Sequence, residues 1–262
     1  MIRKLLGWFS KRPETTPLPD ALWQALLTTL PFLGALADDE QIRLRALTED
    51  FLAEKEFTTA GGLLLSDEIC LAIAAQGCLP ILNLGLDYYR GWVGIVVYPD
   101  EFVIPRSVED EFGVVHEYQE VASGEAWEGG PLLISWRDAQ MAGAGYNVVI
   151  HEFAHKLDML SGEPNGVPAL PPEISRSAWE SVLHASYADF CARVDEAEET
   201  AHETLFDPYA TENPSEFFAV MSETFFETPA LLRAQYPALY EQFATFYRQD
   251  PAARLLPASG LQ

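Results

Sequence analysis

Residues 151–155 have the residue types and the spacing of a metal-binding helix. They read H-E-x-x-H, so the two histidines lie four positions apart. Residues four apart share one face of a helix, and both imidazoles can therefore bind the same ion. Glu152 is close enough to reach a water molecule on that ion. Metal-assisted hydrolysis needs such a set, so the pattern predicts a zinc site in which Glu152 is the general base.

Apolar residues surround this motif and predict a buried helix. Residues 148–150 precede it, Phe153 and Leu157 fill it, and Ser161-Gly162 is a typical helix end. Buried polar groups without partners are costly, so the histidines need partners. These residues leave one alternative open, in which the histidines are core residues hydrogen-bonded to backbone or carboxylate groups.

A catalytic zinc also needs a third protein ligand, and residues 213–226 contain the best candidate. Asn213 fits the N-cap of a second apolar helix, and Pro214 fits its first position. Glu216 then falls at the third helical position. It could bind the metal there, or it could close a capping box with Asn213 and face its own backbone. The local sequence leaves both interpretations open.

Three more acidic residues are candidates for the site. Glu223 and Glu163 are the alternative third ligands. Asp158 lies three residues after His155, on a neighbouring face of the helix. We expect Asp158 to orient a ligand imidazole rather than to bind the metal itself.

Longer motifs carry a family resemblance. They read HEFAHKLDML at 151–160, NPSEFFAVMSETFF at 213–226 and GPLLISW at 130–136, and the likeness extends from residue 51 over most of the chain. The chain resembles the Mlc titration factor A family of bacterial cytoplasmic zinc peptidases. Its catalytic region also resembles the peptidase domain of anthrax lethal factor, which has a similar HEFxH helix and a later EFFA helix.

The resemblance implies roles for two further residues. It makes Glu216 the third zinc ligand, beside His151 and His155. Tyr209, seven residues before Glu216, is implied to face the zinc and to donate a hydrogen bond to the developing oxyanion. The alternative for Tyr209 is a packed tyrosine in an Asp-Pro-Tyr turn. Every motif position matches the family pattern, so the resemblance implies an active enzyme.

The resemblance also implies a function. The chain would be a cytoplasmic zinc metallopeptidase with aminopeptidase-like action on small peptide substrates. It would also bind and titrate Mlc, a glucose-responsive transcriptional repressor, and so affect sugar-uptake genes. The alternative is a primarily non-catalytic, repressor-binding regulatory protein in which zinc is regulatory or structural.

Residues 130–136 form a short apolar segment that predicts a strand before the metal helix. Two interpretations are open: an edge strand that holds the substrate backbone as an added strand, or an ordinary core strand. Trp127 and Trp136 could line a substrate cleft, although large aromatic residues usually belong to the core. Asn147 could contact substrate, but we prefer a structural role inside the helix.

The charge and cysteine counts limit the classes of function. The chain has 262 residues, with 16 lysines and arginines against 40 aspartates and glutamates, and a net charge of −24. Such a surface repels phosphate backbones, which argues against direct nucleic-acid binding and is compatible with cationic peptides or a basic protein partner. The 3 cysteines have no paired spacing, which predicts no disulfide framework and favours a reducing cytosol.

Residues 1–19 are predicted to be a basic N-terminal tail followed by a Pro-rich linker. The apolar stretch in this tail is too short for a signal peptide. No segment approaches the roughly 20 apolar residues that a membrane-spanning helix needs. We prefer a flexible tail to a weak amphipathic surface anchor.

The fold that must position these residues is predicted to be α+β and zincin-like, with a small mixed sheet, the active-site helix and a helical C-terminal half. Residues 20–262 are predicted to form a single domain, with one lobe over 20–138 and another over 139–262. Helices are predicted within 20–58 and at 67–77, 139–160, 173–195, 214–227 and 229–247. Strands are predicted at 92–98, 102–104, 114–121 and 132–136.

Overall fold

A computed structural model describes residues 17–109, 115–143 and 145–254 of the chain. The predicted basic tail therefore lies outside the described residues. The helices are α1 (Asp20–Thr29), α2 (Pro31–Gly34), α3 (Asp38–Glu54), α4 (Asp67–Cys78), α5 (Trp136–Ala139), α6 (Val148–Asp158), α7 (Arg176–Thr200), α8 (Pro214–Glu227), α9 (Pro229–Gln235), α10 (Pro237–Tyr247) and α11 (Pro251–Arg254). The strands are β1 (Glu56–Thr59), β2 (Gly94–Tyr98), β3 (Phe102–Glu109), β4 (Val115–Ala122), β5 (Gly124–Ala126) and β6 (Leu132–Ser135). The predicted α+β class with a small sheet is confirmed.

The larger sheet has the strand order β1-β2-β6-β5. Strands β1, β2 and β6 are parallel, whereas β5 runs antiparallel to β6. Strands β3 and β4 pair with each other as a separate antiparallel hairpin. The hairpin is attached to the larger sheet at its base, where Phe102 and Ile104 form a small apolar cluster with Leu133.

The strand before the metal helix is a core strand. Every residue of β6 is buried, and β6 lies between β2 and β5. The edge-strand interpretation of residues 130–136 is therefore wrong, because β6 is already paired with a strand on each side and has no free edge for a peptide. Strand β5 forms that edge of the sheet instead. It was not predicted, because three residues that include Gly124 give no alternating pattern.

Strand β1 begins within the region predicted to be helical up to residue 58, so the helical prediction is wrong there. Glu56 N donates to Val93 O at 3.0 Å, and the strand then continues in register with β2. Pairing with a neighbouring strand overrides local helix propensity at these positions.

The helix predicted at 139–160 begins only at Val148, where α6 starts, and the short helix α5 ends at Ala139. Between them the backbone takes positive φ angles at Gly143 and Gly145, which a continuous helix does not allow. Asn147 is the N-cap of α6, with its Oδ1 accepting a hydrogen bond from Ile150 N at 2.9 Å. Asn147 is therefore a structural residue, but at the start of the helix rather than inside it.

Helix α6 lies in the core, with all of its residues buried. The ring of Phe153 packs against Phe51, Tyr89 and Trp92, with centroids 5.6, 5.1 and 5.8 Å away. Gly77 on α4 permits this approach, since a Cβ there would lie 2.3 Å from the Phe153 ring. Burying such a ring stabilises the fold by about 1.5–3 kcal/mol. The packing also fixes the rotation of α6, so the histidines face the other side of the helix.

The core is continuous along the chain. A single cluster of buried apolar residues runs from Leu18 to Ala252 and includes residues from both predicted lobes. Cys70, Cys78 and Cys191 are free thiols. Among the residues described, no helix has the length and apolarity needed to cross a membrane.

Candidate metal centre

The structure brings His151, His155 and Glu216 together at one point. Nε2 of His151 lies 3.0 Å from Oε2 of Glu216, and Nε2 of His155 lies 3.1 Å from the same oxygen. The two Nε2 atoms are 3.1 Å apart. Their side chains are 11%, 10% and 17% exposed, respectively, so the group is mostly buried but open on one side.

Hydrogen bonds behind the rings fix which nitrogens face this point. Nδ1 of His151 lies 2.8 Å from Oε1 of Glu223, whose Oε2 accepts from Asn147 N at 2.5 Å. Both oxygens of Glu223 are therefore acceptors, and His151 carries its proton on Nδ1. The lone pair of Nε2 consequently points into the centre.

His155 is held in the same manner through a serine. Its Nδ1 lies 3.2 Å from Oγ of Ser215, and that hydroxyl donates to Oδ2 of Asp158 at 2.8 Å. The hydrogen bond to Asp158 uses the only proton of the hydroxyl, so Oγ of Ser215 accepts a hydrogen bond from Nδ1 of His155. Asp158 therefore reaches His155 only through Ser215, which refines its predicted role of orienting an imidazole.

This donor set fits a metal ion. Two imidazole nitrogens and a carboxylate oxygen converge on one point, and these are ligand types that zinc prefers. Tetrahedral zinc with bonds of about 2.0–2.2 Å places its ligand atoms about 3.3 Å apart, close to the observed separations. Among the described residues, these three form the one group with metal-ligand spacing.

Helix α8 positions Glu216 through its cap. Oδ1 of Asn213 accepts from Ser215 N at 2.9 Å and from Glu216 N at 3.1 Å. The carboxylate of Glu216 does not return to the backbone to complete a capping box, but turns towards the histidines.

The alternative third ligands lie elsewhere. Glu223 contacts the outer nitrogen of His151, on the far side of the ring from the centre. Glu163 is exposed and lies outside the group of three. Glu216, Glu223 and Glu227 share one face of α8, being seven and four residues apart. Glu227 accepts from Nδ2 of Asn147 at 2.8 Å, so this acidic face binds the start of α6 as well as its first histidine.

Glu152 lies beside the centre and is 5% exposed. Its Oε2 is buried without a hydrogen-bond partner among the described residues. Burial raises the pKa of Glu152 to about 7. Gly124 of β5 makes room for it, since a Cβ at that position would lie 2.4 Å from Oε1 of Glu152.

Tyr209 faces the same site from a short turn before α8. Its ring centroid is 6.1 Å from that of His151, and the residue is 47% exposed. Oδ1 of Asp207 accepts from Tyr209 N at 2.9 Å and fixes the turn. Burial of the phenol and the nearby Glu216 raise the pKa of Tyr209, so its hydroxyl stays protonated as a donor at neutral pH.

Comparison with known proteins identifies the family. Residues 6–248 match the family described as glucose-regulated metallo-peptidase M90. The chain belongs to the M90 metallopeptidase family. Membership implies that the protein holds a metal, and the donor set above fits that requirement.

Relatives of this M90 chain carry the name Mlc titration factor A. The protein from Salmonella arizonae is 40% identical over 254 residues, which cover 96% of this chain and 100% of the relative. The Salmonella typhi protein is 39% identical over 254 residues, with 96% and 94% coverage. The Pectobacterium atrosepticum protein is 39% identical over 251 residues, with 95% and 92% coverage. The family resemblance predicted from the motifs is confirmed.

The centre of this M90 peptidase chain opens into a cavity of about 690 Å³, which is lined by the three candidate ligands, Glu152 and Tyr209. Pro164 and Asn165 border it, so the loop after α6 forms part of the rim. The described wall of the cavity includes neither Trp127 nor Trp136. The interpretation that Trp127 and Trp136 line the substrate cleft is therefore wrong for this cavity.

Sequence reasoning missed several residues of this M90 site. The sequence indicated Ser215 only weakly, through its position directly before the candidate ligand Glu216. The hairpin and β5 contribute four more residues that no motif indicated, namely Arg106, Glu120, Gly124 and Glu125. They are separated from α6 by more than twenty residues of chain, and the tertiary fold alone brings them to the cavity.

Proposed function

We propose that the protein is a zinc-dependent, zincin-like peptidase with aminopeptidase-like action. One observation carries the proposal: three candidate ligand atoms converge at a partly open point, beside a buried glutamate whose Oε2 has no hydrogen-bond partner in the described part of the chain. His151, His155 and Glu216 would hold the metal, and Glu152 would be the general base. The M90 family match supports a metallopeptidase.

A zinc ion at this point would supply Lewis acidity and lower the pKa of a bound water to about 7. Glu152 would accept a proton from water and return it to the leaving amine. Its burial beside Gly124 keeps its carboxylate fixed and out of bulk solvent. Tyr209 would donate a hydrogen bond to the oxygen on which negative charge develops.

Strand β5 is the proposed backbone-binding element. It pairs with β6 on one side and forms the end of the four-stranded sheet, and Gly124–Ala126 line the cavity. A peptide can extend such an edge by main-chain hydrogen bonds. Strand β5 therefore replaces residues 130–136 as the candidate for binding the substrate backbone, because β6 lies inside the sheet.

The test is the Glu152→Gln variant, assayed for both zinc content and peptide hydrolysis. We expect bound zinc to be retained and hydrolysis to be lost, because the amide keeps the shape of the side chain but cannot accept the proton. Retained turnover would refute the assignment of the base. Loss of zinc in a His151→Ala/His155→Ala variant provides the matching control for the ligands.

We also propose that the protein binds the repressor Mlc in the cytoplasm. The relatives named Mlc titration factor A support this second function, and the net charge of −24 is compatible with a basic partner surface. The two functions can be separated with the same His151→Ala/His155→Ala variant. Repressor binding that survives the loss of hydrolysis indicates separate surfaces, whereas loss of both links binding to the metal centre.

A further inference from the structure

An arginine on the cavity wall joins two glutamates from different strands. Nε of Arg106 on β3 donates to Oε2 of Glu120 on β4 at 2.6 Å. Nη1 of Arg106 donates to Oε1 of Glu125 on β5 at 2.7 Å. All three residues line the cavity, and we name them the Arg106 clamp. Two carboxylates share one guanidinium, so the clamp has negative charge in excess.

The rest of the cavity does not neutralise this charge. The other acidic residues of its described lining are Glu152, Asp207, Glu216 and Glu223. Arg106 is the one lysine or arginine among the described lining residues. Even a divalent ion at the histidines leaves the carboxyl groups in excess, so the cavity attracts a further cation.

One member of the clamp is placed next to the reacting groups. Glu125 follows Gly124, where an added Cβ would lie 2.4 Å from Oε1 of Glu152, and both residues belong to the edge strand β5. The Glu125 side chain is 13% exposed, and its Oε2 has no hydrogen-bond donor among the described residues. Oε2 of Glu152, which lines the same cavity, is also buried without a hydrogen-bond donor among the described residues. Buried acceptors without donors are unfavourable, so a cation with N–H groups close to Glu125 would be stabilised there.

We propose that the Arg106 clamp binds a primary ammonium group of the peptide substrate, with Glu120 and Glu125 as the acceptors. An ammonium is compact and has three donors, so it fits between two carboxylates that Arg106 holds in place. Because Glu125 is on the strand proposed to hold the peptide, the ammonium lies close to the scissile bond. This inference rests on the proposed peptidase function. It names the residues that would recognise a positively charged group of the substrate.

Two sources can supply that group: the amino terminus of the peptide, or a lysine side chain. The first binding test uses zinc-loaded Glu152→Gln protein, so that peptides bind without being cleaved. The probes are Ala-Ala-Ala, N-acetyl-Ala-Ala-Ala and N-acetyl-Ala-Lys-Ala, measured by isothermal titration. We expect one of the ammonium peptides to bind about 10- to 100-fold more tightly than the neutral peptide, as one charge-assisted contact would give. The peptide that binds tightly identifies the source.

Adding Glu125→Gln should bring the three dissociation constants close together. The amide still accepts from Arg106, so the clamp keeps its shape while losing the charge. Glu120→Gln is the second variant if Glu125→Gln fails to fold. Glu117→Gln is the matched control: it is an exposed glutamate on the same strand as Glu120, three residues away and hence on the opposite face. This control should keep the full preference.

Equal binding of the three peptides overturns the clamp as an ammonium site, as does a preference that survives both clamp variants or disappears in Glu117→Gln. Hydrolysis of the same peptides by the unmodified protein separates this inference from the proposed function. A binding preference without any hydrolysis supports the clamp and contradicts the peptidase proposal. Hydrolysis with equal kcat/KM for all three peptides supports the peptidase and contradicts the clamp.

Discussion

Glu223 accepts a hydrogen bond from Nδ1 of His151 at 2.8 Å, on the side of the ring that faces away from the metal centre. The other oxygen of the same carboxylate accepts from Asn147 N at 2.5 Å. A single buried side chain on α8 therefore holds both the start of α6 and its first candidate ligand. The pairing also selects the His151 tautomer whose Nε2 is free for a metal.

The first prediction concerns this pairing. Glu223→Gln should weaken zinc binding by about 10- to 100-fold, because an amide has one acceptor oxygen for the two donors that Glu223 now satisfies. Competition with a chelator of known affinity measures the change. Glu227→Gln is the control, since Glu227 contacts Gly143, Gly145 and Asn147 but neither histidine. Equal zinc affinities in the two variants would contradict the proposed orienting role.

The second prediction concerns the space beside Glu152. Gly124→Ala should reduce kcat by about 100-fold while zinc content is kept, because a Cβ 2.4 Å from Oε1 forces the carboxylate to move. Steady-state kinetics with metal analysis measures both quantities. Gly94→Ala on β2 is the matched variant, since its Cβ would meet Pro131 at an ordinary 3.4 Å. A Gly124→Ala protein with unchanged kcat is incompatible with a fixed position for the base.

The third prediction concerns Tyr209. Tyr209→Phe should lower kcat by about 100- to 1,000-fold, as the loss of one oxyanion donor does, and should leave zinc content unchanged. The midpoint of thermal unfolding should hardly change, because the residue is 47% exposed. Tyr118→Phe, at a tyrosine that is 51% exposed on the hairpin, is the control and should retain full activity. Equal activity in the two variants would show that the Tyr209 hydroxyl has no catalytic part.

The fourth prediction concerns metal removal. Chelation should lower the midpoint of thermal unfolding by about 5–10 °C relative to protein in zinc at 100 times its Kd, because binding to the folded state alone contributes about 2.7 kcal/mol. Differential scanning calorimetry measures the shift. His151→Ala/His155→Ala protein should show no zinc-dependent shift. A zinc effect of the same size in that variant would place the stabilising ion elsewhere.

The sequence by itself determined the half of the site that lies on α6. The spacing of His151, Glu152 and His155 on one buried helix follows from helix periodicity and needs no other part of the chain. Motif resemblance added Glu216 and Tyr209, while the local sequence left a capping role for Glu216 equally open. The buried helices and the central strand could also be predicted, since their apolar patterns are local.

Tertiary structure decided the rest. It turned Glu216 away from its backbone, set Glu223 behind His151, and inserted Ser215 between His155 and Asp158. It also put the sheet edge at β5 rather than at residues 130–136. These relationships join residues that are far apart in the chain. They depend on how helices and strands pack together, and no periodic pattern in the sequence indicates them. The candidate ligands and base on α6 could thus be predicted from one helix, whereas the geometry that orients them exists only in the folded chain.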